Sequence, residues 1–306
     1  MQNAKLKITE KILELKKKRH AVILVHNYQI GEVQDIADYI GDSLGLSRAA
    51  SKTNADVIVF CGVRFMAETA SILCPDKIVL MPDVNAGCPM ADMITRDELK
   101  AFKKEHPKAT VVGYVNTSAD VKAEIDICCT SGNAAKVIES LKDVVEIIFV
   151  PDKYLGHYVS TKVNRRLIFW NGYCPVHAKI LPEDIARQRK THPEAKVIVH
   201  PECTPQVIKL ADEALSTSGM CAYAKLSDAS EIIVGTEVGL LYRLRKENPG
   251  KKFYPLSAQA ICPNMKLTTL EKALWCLEDM RYEVKVPEDI QIRAKRAVDR
   301  MLKVTP

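Results

Sequence analysis

The sequence predicts an α/β protein made of three homologous small units, and three observations carry that reading. Short apolar runs alternate with helix-length amphipathic stretches along the whole chain, the pattern of parallel sheets covered by helices. Several residue types recur at spacings of 86 to 88 positions. At each recurrence the unusual residues follow the apolar runs, at the edge where open parallel sheets bind ligands.

The first unit, residues 1–106, has a polar helix-periodic stretch from Thr9 that runs into the apolar segment 21–25 and ends at His26. A second short element closes on Gly41-Asp42-Ser43-Leu44-Gly45, apolar runs follow at 57–60 and 78–81, and Cys88-Pro89 comes next. The second unit, 107–192, is entered from a helical stretch beginning at Thr95. Its first strand ends at Tyr114, and Thr130-Ser131-Gly132, runs at 147–150 and 167–170, and Cys174-Pro175 follow. The third unit, 193–306, is led in by a helical stretch from Pro182 to a strand ending at His200. Ser216-Thr217-Ser218-Gly219, runs at 232–234 and 253–256, Cys262-Pro263 and C-terminal helices complete it. His26, Tyr114 and His200 lie 88 and 86 apart; Ser43, Ser131 and Ser218 lie 88 and 87 apart; the three cysteines lie 86 and 88 apart. Such agreement marks internal repeats. No Pro/Gly/Ser-rich linker separates the units, which favours a compact body whose three sheet edges enclose one site.

Composition narrows the class. With 47% hydrophobic and 27% charged residues and no apolar run near the roughly 20 residues of a membrane helix, the chain reads as an ordinary soluble protein. The net charge of +6, from 44 basic and 38 acidic residues, is dispersed, so neither a nucleic-acid nor a membrane partner is expected. A charged N-terminus without an apolar core segment predicts a cytoplasmic location, where the ten cysteines stay reduced.

Only Cys88, Cys174 and Cys262 follow the period; the other seven do not, and a lone cysteine is ordinarily a small buried hydrophobe. Three thiolates from three loops suit zinc, with His177 as fourth ligand. They equally suit three corners of a 4Fe-4S cluster whose fourth iron stays open as a Lewis acid. The spacing leaves both open, and with them a zinc-dependent hydrolase or lyase, an iron–sulfur enzyme and a non-enzymatic iron–sulfur sensor. His26-Asn27-Tyr28 places an imidazole and a phenol at the sheet edge as acid–base candidates. Tyr114-Val115-Asn116 adds a phenol and an amide, and His200-Pro201-Glu202 an imidazole and a carboxylate. Hydroxyls beside glycine at Ser43, Ser131 and 216–218 read as anion cradles or as plain helix caps. Neither a dinucleotide fingerprint nor a Walker A sequence is present.

Read in order, HNYQ at 26–29, GDSL at 41–44, FMAE at 65–68, PDVNAGCPMAD at 82–92, YVN at 114–116, CTSGNA at 129–134, CPVH at 174–177, HPEC at 200–203, STSGM at 216–220, GTE at 235–237 and CPNMK at 262–266 resemble the quinolinate synthase family over nearly the whole chain. The resemblance implies three α/β/α units with parallel sheets around a pseudo-threefold axis and an iron–sulfur cluster at the centre. It implies condensation of iminoaspartate with dihydroxyacetone phosphate to quinolinate, releasing phosphate and two waters, in de novo NAD biosynthesis. Cys88, Cys174 and Cys262 would ligate a 4Fe-4S cluster with one open iron. His26, Tyr28, Tyr114 and Glu202 would handle protons, assisted by Asn116 and His200. Ser43, Ser131, Ser216 and Thr217 would hold carboxylate or phosphate groups, Met66 would line the pocket, and His177 would lie close to the cluster and substrate. Transient supply of iminoaspartate by an L-aspartate oxidase, and a monomer or homodimer, are further implications. Some family members carry C-x-x-C-x-x-C at the last cysteine; Cys262 stands alone, so no redox switch is expected there.

Overall fold

A computed structural model describes residues 2–304 and contains three four-stranded parallel sheets. The first holds β1 (Ala21–His26), β2 (Tyr39–Gly41), β3 (Val57–Cys61) and β4 (Ile78–Leu80) in the order β2-β1-β3-β4. The second holds β5 (Thr110–Tyr114), β6 (Ile127–Cys129), β7 (Ile147–Val150) and β8 (Ile168–Phe169) in the order β6-β5-β7-β8. The third repeats it with β9 (Lys196–Val199), β10 (Glu213–Ala214), β11 (Glu231–Gly235) and β12 (Lys252–Pro255) as β10-β9-β11-β12. Each of the four elements expected per unit is thus a strand, within one or two residues.

The central strands are continuous apolar runs because both sheet faces are covered. In β9 and β11 the alternation is visible: Val197, Val199 and Ile233 enter one apolar cluster, while Ile198, Ile232 and Val234 enter the cluster on the other face. A recurrent aspartate fixes each short second strand. Asp38 Oδ2 accepts the Ile23 N–H at 2.8 Å, Asp126 Oδ2 that of Val111 at 2.8 Å, and Asp212 Oδ2 that of Val197 at 2.7 Å. These aspartates lie at the same period as the histidines and cysteines, a repeat signal not used in the sequence reading. The helix Arg96–Glu105 starts with a capping box, in which Thr95 N–H donates to Glu98 Oε2 at 2.7 Å.

The C-terminal helices cross back over the molecule. Leu270–Asp279 packs against the N-terminal helix Gln2–Lys18 and β3, and Glu288–Lys303 packs against β6 and the helices Arg64–Leu73 and Ala119–Lys122. The sequence division put both with the third unit, yet their contacts are with the first two. Ala294, Ala297, Val298 and Met301 are fully buried in the core shared by the first two sheets. Burial of Val298 and Met301 contributes about 1.5–3 kcal/mol each. No helix among the described residues is long and apolar enough to cross a membrane.

Candidate active site

The C-terminal ends of all three sheets open onto one cavity, partly continuous with solvent. The first strands deliver His26 and Tyr28, Tyr114 and Asn116, and His200 and Glu202. The second strands lead to Ser43, Ser131 and Thr217, and the loops after the fourth strands present Cys88, Cys174 and Cys262. Met66 and His177 line it from short helices. Every site residue singled out from sequence is therefore gathered here except Ser216 and Ser218, which line a neighbouring cavity.

Ser216 is the N-cap of the helix Thr217–Leu226, its Oγ accepting the Gly219 N–H at 3.2 Å, and it lines a neighbouring cavity. Its hydroxyl accepts at the helix end, and the residue is not among those lining the central cavity. In the first unit Asp42 takes the capping role, accepting Gly45 N–H at 2.8 Å, and Ser43 is left facing the cavity.

A continuous hydrogen-bonded chain crosses the site. Tyr28 Oη meets Thr236 Oγ1 at 2.6 Å, Thr236 Oγ1 meets His177 Nε2 at 2.8 Å, His177 Nδ1 meets Glu202 Oε2 at 2.7 Å, and Tyr114 Oη donates to Glu202 Oε1 at 2.5 Å. With His177 donating from Nδ1 to the carboxylate, Nε2 accepts from Thr236 and every member is satisfied. The His200 ring stacks on that of His177 with centroids 4.7 Å apart. Two histidines share a local geometry: His26 Nδ1 accepts the Tyr28 N–H at 3.2 Å, and His200 Nδ1 accepts the Glu202 N–H at 3.3 Å. In the neutral ring the proton then resides on Nε2 in both.

Burial sets the charges. It pushes His26 and His200 down to about 3, with the neighbouring histidines adding to the effect, so both are neutral. Burial and then the charge of Glu202 hold the phenols of Tyr28 and Tyr114 well above the ordinary tyrosine value. Glu202 is also buried, which favours its neutral form, but hydrogen bonds from the His177 ring and the Tyr114 hydroxyl hold it below the ordinary carboxylate range and keep it ionised. Burial pushes the Cys88 thiol up to about 12 and raises Cys174 and Cys262 as well. A bound cation is what would make such thiols into thiolates.

Cys174, His177 and Glu202 bring one ligand atom each to within 4.8 Å of one another, a group able to hold a metal ion. Cys88, Cys174 and Cys262 do not form so tight a set among the described residues. A single tetrahedral zinc would need sulfurs about 3.8 Å apart, from Zn–S bonds of ~2.3 Å, whereas a polynuclear cluster spreads its corners more widely.

Two residues unassigned by the sequence reading complete the site. Thr236 links Tyr28 to His177, and Glu237 accepts the Cys262 N–H at 3.1 Å and the Gly239 N–H at 2.7 Å while pairing with Lys266 at 2.8 Å. Both belong to GTE at 235–237, where their place directly after the third strand run was the available signal. Asn264 Nδ2 donates to the Gly87 carbonyl at 2.8 Å, latching the Cys262 loop to the Cys88 loop.

The chain matches the family NadA, Quinolinate synthetase A protein, over residues 10–303. It is 60% identical over 297 residues to "Quinolinate synthase" of Dehalococcoides mccartyi (strain CBDB1), covering 97% of this chain and 98% of that one. Against "Quinolinate synthase" of Thermodesulfovibrio yellowstonii the identity is 57% over 96% of this chain and 97% of the other. Against that of Methanosarcina barkeri it is 55% over 99% of both. The chain therefore belongs to the NadA, or quinolinate synthetase A, family of enzymes.

Proposed function

We propose that this chain is a quinolinate synthase that condenses iminoaspartate with dihydroxyacetone phosphate, releasing phosphate and two waters, and that Cys88, Cys174 and Cys262 hold a 4Fe-4S cluster with one open iron. The observation that carries the reading is the presentation, in one cavity, of three half-buried thiols from three repeats beside the Tyr28–Thr236–His177–Glu202–Tyr114 chain. When bound, such a cluster supplies a Lewis acid that helps a substrate hydroxyl leave as water.

The protein's own groups supply binding and proton handling. Neutral His26 and His200, protonated on Nε2, donate to substrate oxygens without adding charge. Asn116 Oδ1 is buried with no partner among the described residues, an acceptor suited to a substrate N–H or O–H. Ser43, Ser131 and Thr217 line the cavity near the first turns of helices, where hydroxyls and backbone N–H groups favour carboxylate or phosphate. Ionised Glu202 accepts protons at its Oε atoms, and the phenols of Tyr28 and Tyr114, held protonated, return them. The ten free cysteines suit a reducing, cytoplasmic compartment.

The experiment is oxygen-free purification followed by iron, acid-labile sulfide and zinc analysis per chain, with a quinolinate assay. About four irons with matching sulfide and quinolinate formation are expected. Zinc without sulfide, or a loaded protein making no quinolinate, overturns the reading.

A further inference from the structure

Asn27 is fully buried, one residue after β1, and its side-chain amide joins two groups of the third unit. Its Oδ1 accepts from Arg243 Nη1 at 2.9 Å, and its Nδ2 donates to Thr217 Oγ1 at 2.8 Å. Arg243 also donates to the Ile40 carbonyl in β2 at 3.1 Å and pairs with Glu247 at 2.7 Å, so it is braced against the first sheet and against its own helix, Leu240–Glu247. A guanidinium carries donors only. It therefore fixes which end of the amide is which, with the oxygen toward Arg243 and the nitrogen toward Thr217.

That orientation decides the polarity of Thr217. A hydroxyl has a single proton, and with its oxygen accepting from Asn27 that proton has to point elsewhere. Thr217 is buried in the first turn of the helix Thr217–Leu226, lines the central cavity, and donates to no group among the described residues. Its hydroxyl is thus held as a donor for whatever occupies the cavity. The positions equivalent to Asn27 in the other two units, directly after Tyr114 and His200, are Val115 and Pro201, neither of which has a side-chain donor. The arrangement belongs to one unit and is not a product of the repeat.

We propose that Asn27, held by Arg243, is a positioning residue that locks Thr217 as a hydrogen-bond donor to an anionic oxygen of the substrate, a carboxylate or a phosphate. This rests on the reading of the cavity as the substrate site of a quinolinate synthase. Neither Asn27 nor Arg243 lines the cavity, so both act through Thr217. The charge of Arg243 polarises the amide it holds, which strengthens the bond to Thr217 and with it the donor power of the hydroxyl. An acceptor at position 27 would draw the proton away from the cavity and leave a lone pair facing the anion.

The test compares wild type with Asn27→Asp, Asn27→Leu, Thr217→Val and the combined Asn27→Leu/Thr217→Val, each as the cluster-loaded chain, by calorimetric titration with quinolinate and separately with inorganic phosphate. Quinolinate formation by the wild type comes first: a loaded wild type that makes none overturns the proposed function, and this proposal with it. Beside Arg243 an aspartate is ionised, so Asn27→Asp reverses the hydrogen bond with almost no change of shape, whereas Asn27→Leu only frees the hydroxyl. The expected loss in Asn27→Asp is about 10- to 100-fold, the range for a hydrogen bond to a charged group, with a smaller loss in Asn27→Leu. It falls on quinolinate if Thr217 holds a carboxylate and on phosphate if it holds a phosphate. The combined variant should bind no more weakly than Thr217→Val alone, a coupling that a residue serving only to hold the fold would not show. Wild-type affinity for both anions in whichever Asn27 variant folds, or losses that simply add in the combined variant, would overturn the proposal and leave Asn27 as a brace between the first and third units.

Discussion

The phenol of Tyr114 donates to Glu202 Oε1 at 2.5 Å, tying the end of the second sheet to the end of the third across 88 residues of chain. Tyr114 is one of the two phenols bracketing the proton-handling chain, and Glu202 is the acceptor to which it and His177 both converge. Tyr114→Phe and Glu202→Gln are expected to lower kcat/KM for quinolinate formation by about 10²–10⁴-fold, the range for lost acid–base groups, with iron content intact. Activity within a factor of three of wild type in either variant would remove that residue from the proton path.

Thr236 is the sole hydroxyl between Tyr28 and His177 in that chain, at 2.6 and 2.8 Å. Thr236→Val keeps its β-branched shape and removes the bridge. The expectation is a loss in kcat on the order of 10²-fold with little change in KM or melting temperature. A KM effect alone would mean that Thr236 shapes the pocket and carries no proton.

Cys88→Ala, Cys174→Ala and Cys262→Ala should each abolish binding of a full cluster, measured as iron and sulfide per chain. Cys61→Ala and Cys276→Ala should leave it unchanged, since both thiols are packed together in the apolar cluster under the first sheet, away from the cavity. Full iron in any of the first three variants would dismiss that cysteine as a ligand.

Stability of the metal-free chain should fall as the pH is lowered from about 6.5 towards about 3. Folded His26 and His200 titrate near 3, against 6.5 for a free imidazole. Between those values the unfolded chain therefore binds more protons, and the free energy of unfolding drops with pH. Glu202 acts in the same direction, because its folded pKa lies below the ordinary carboxylate value and the stability it contributes is lost on protonation. Thermal melts across this window should show the decline, with a shallower slope in His200→Gln; identical slopes would place the acid sensitivity elsewhere.

Gly239 packs against the Tyr28 carbonyl, and a Cβ there would overlap that group and come within 2.8 Å of Glu237 Oε2. Gly239→Ala should therefore displace Tyr28 or the Cys262 loop, costing about 1–3 kcal/mol of stability and at least tenfold in activity. Lys266→Met removes the cation paired with fully buried Glu237 and should cost about 3 kcal/mol. Chemical denaturation reads both, and an unperturbed midpoint in either would show the packing there to be yielding.

The sequence by itself determined the three units, their strand order of appearance and the sheet edge that carries chemistry. Each of these is local: a run of apolar residues, a period near 87 positions, a cysteine after every fourth strand. The tertiary structure decided which side chains meet. Tyr28 and Thr236 are 208 positions apart and Tyr114 and Glu202 are 88 apart, and a periodic pattern compares each unit only with its equivalents, never with what packs against it. The same holds for Ser43 and Ser216, alike in sequence setting yet facing different cavities, because an aspartate caps one helix and the serine itself caps the other.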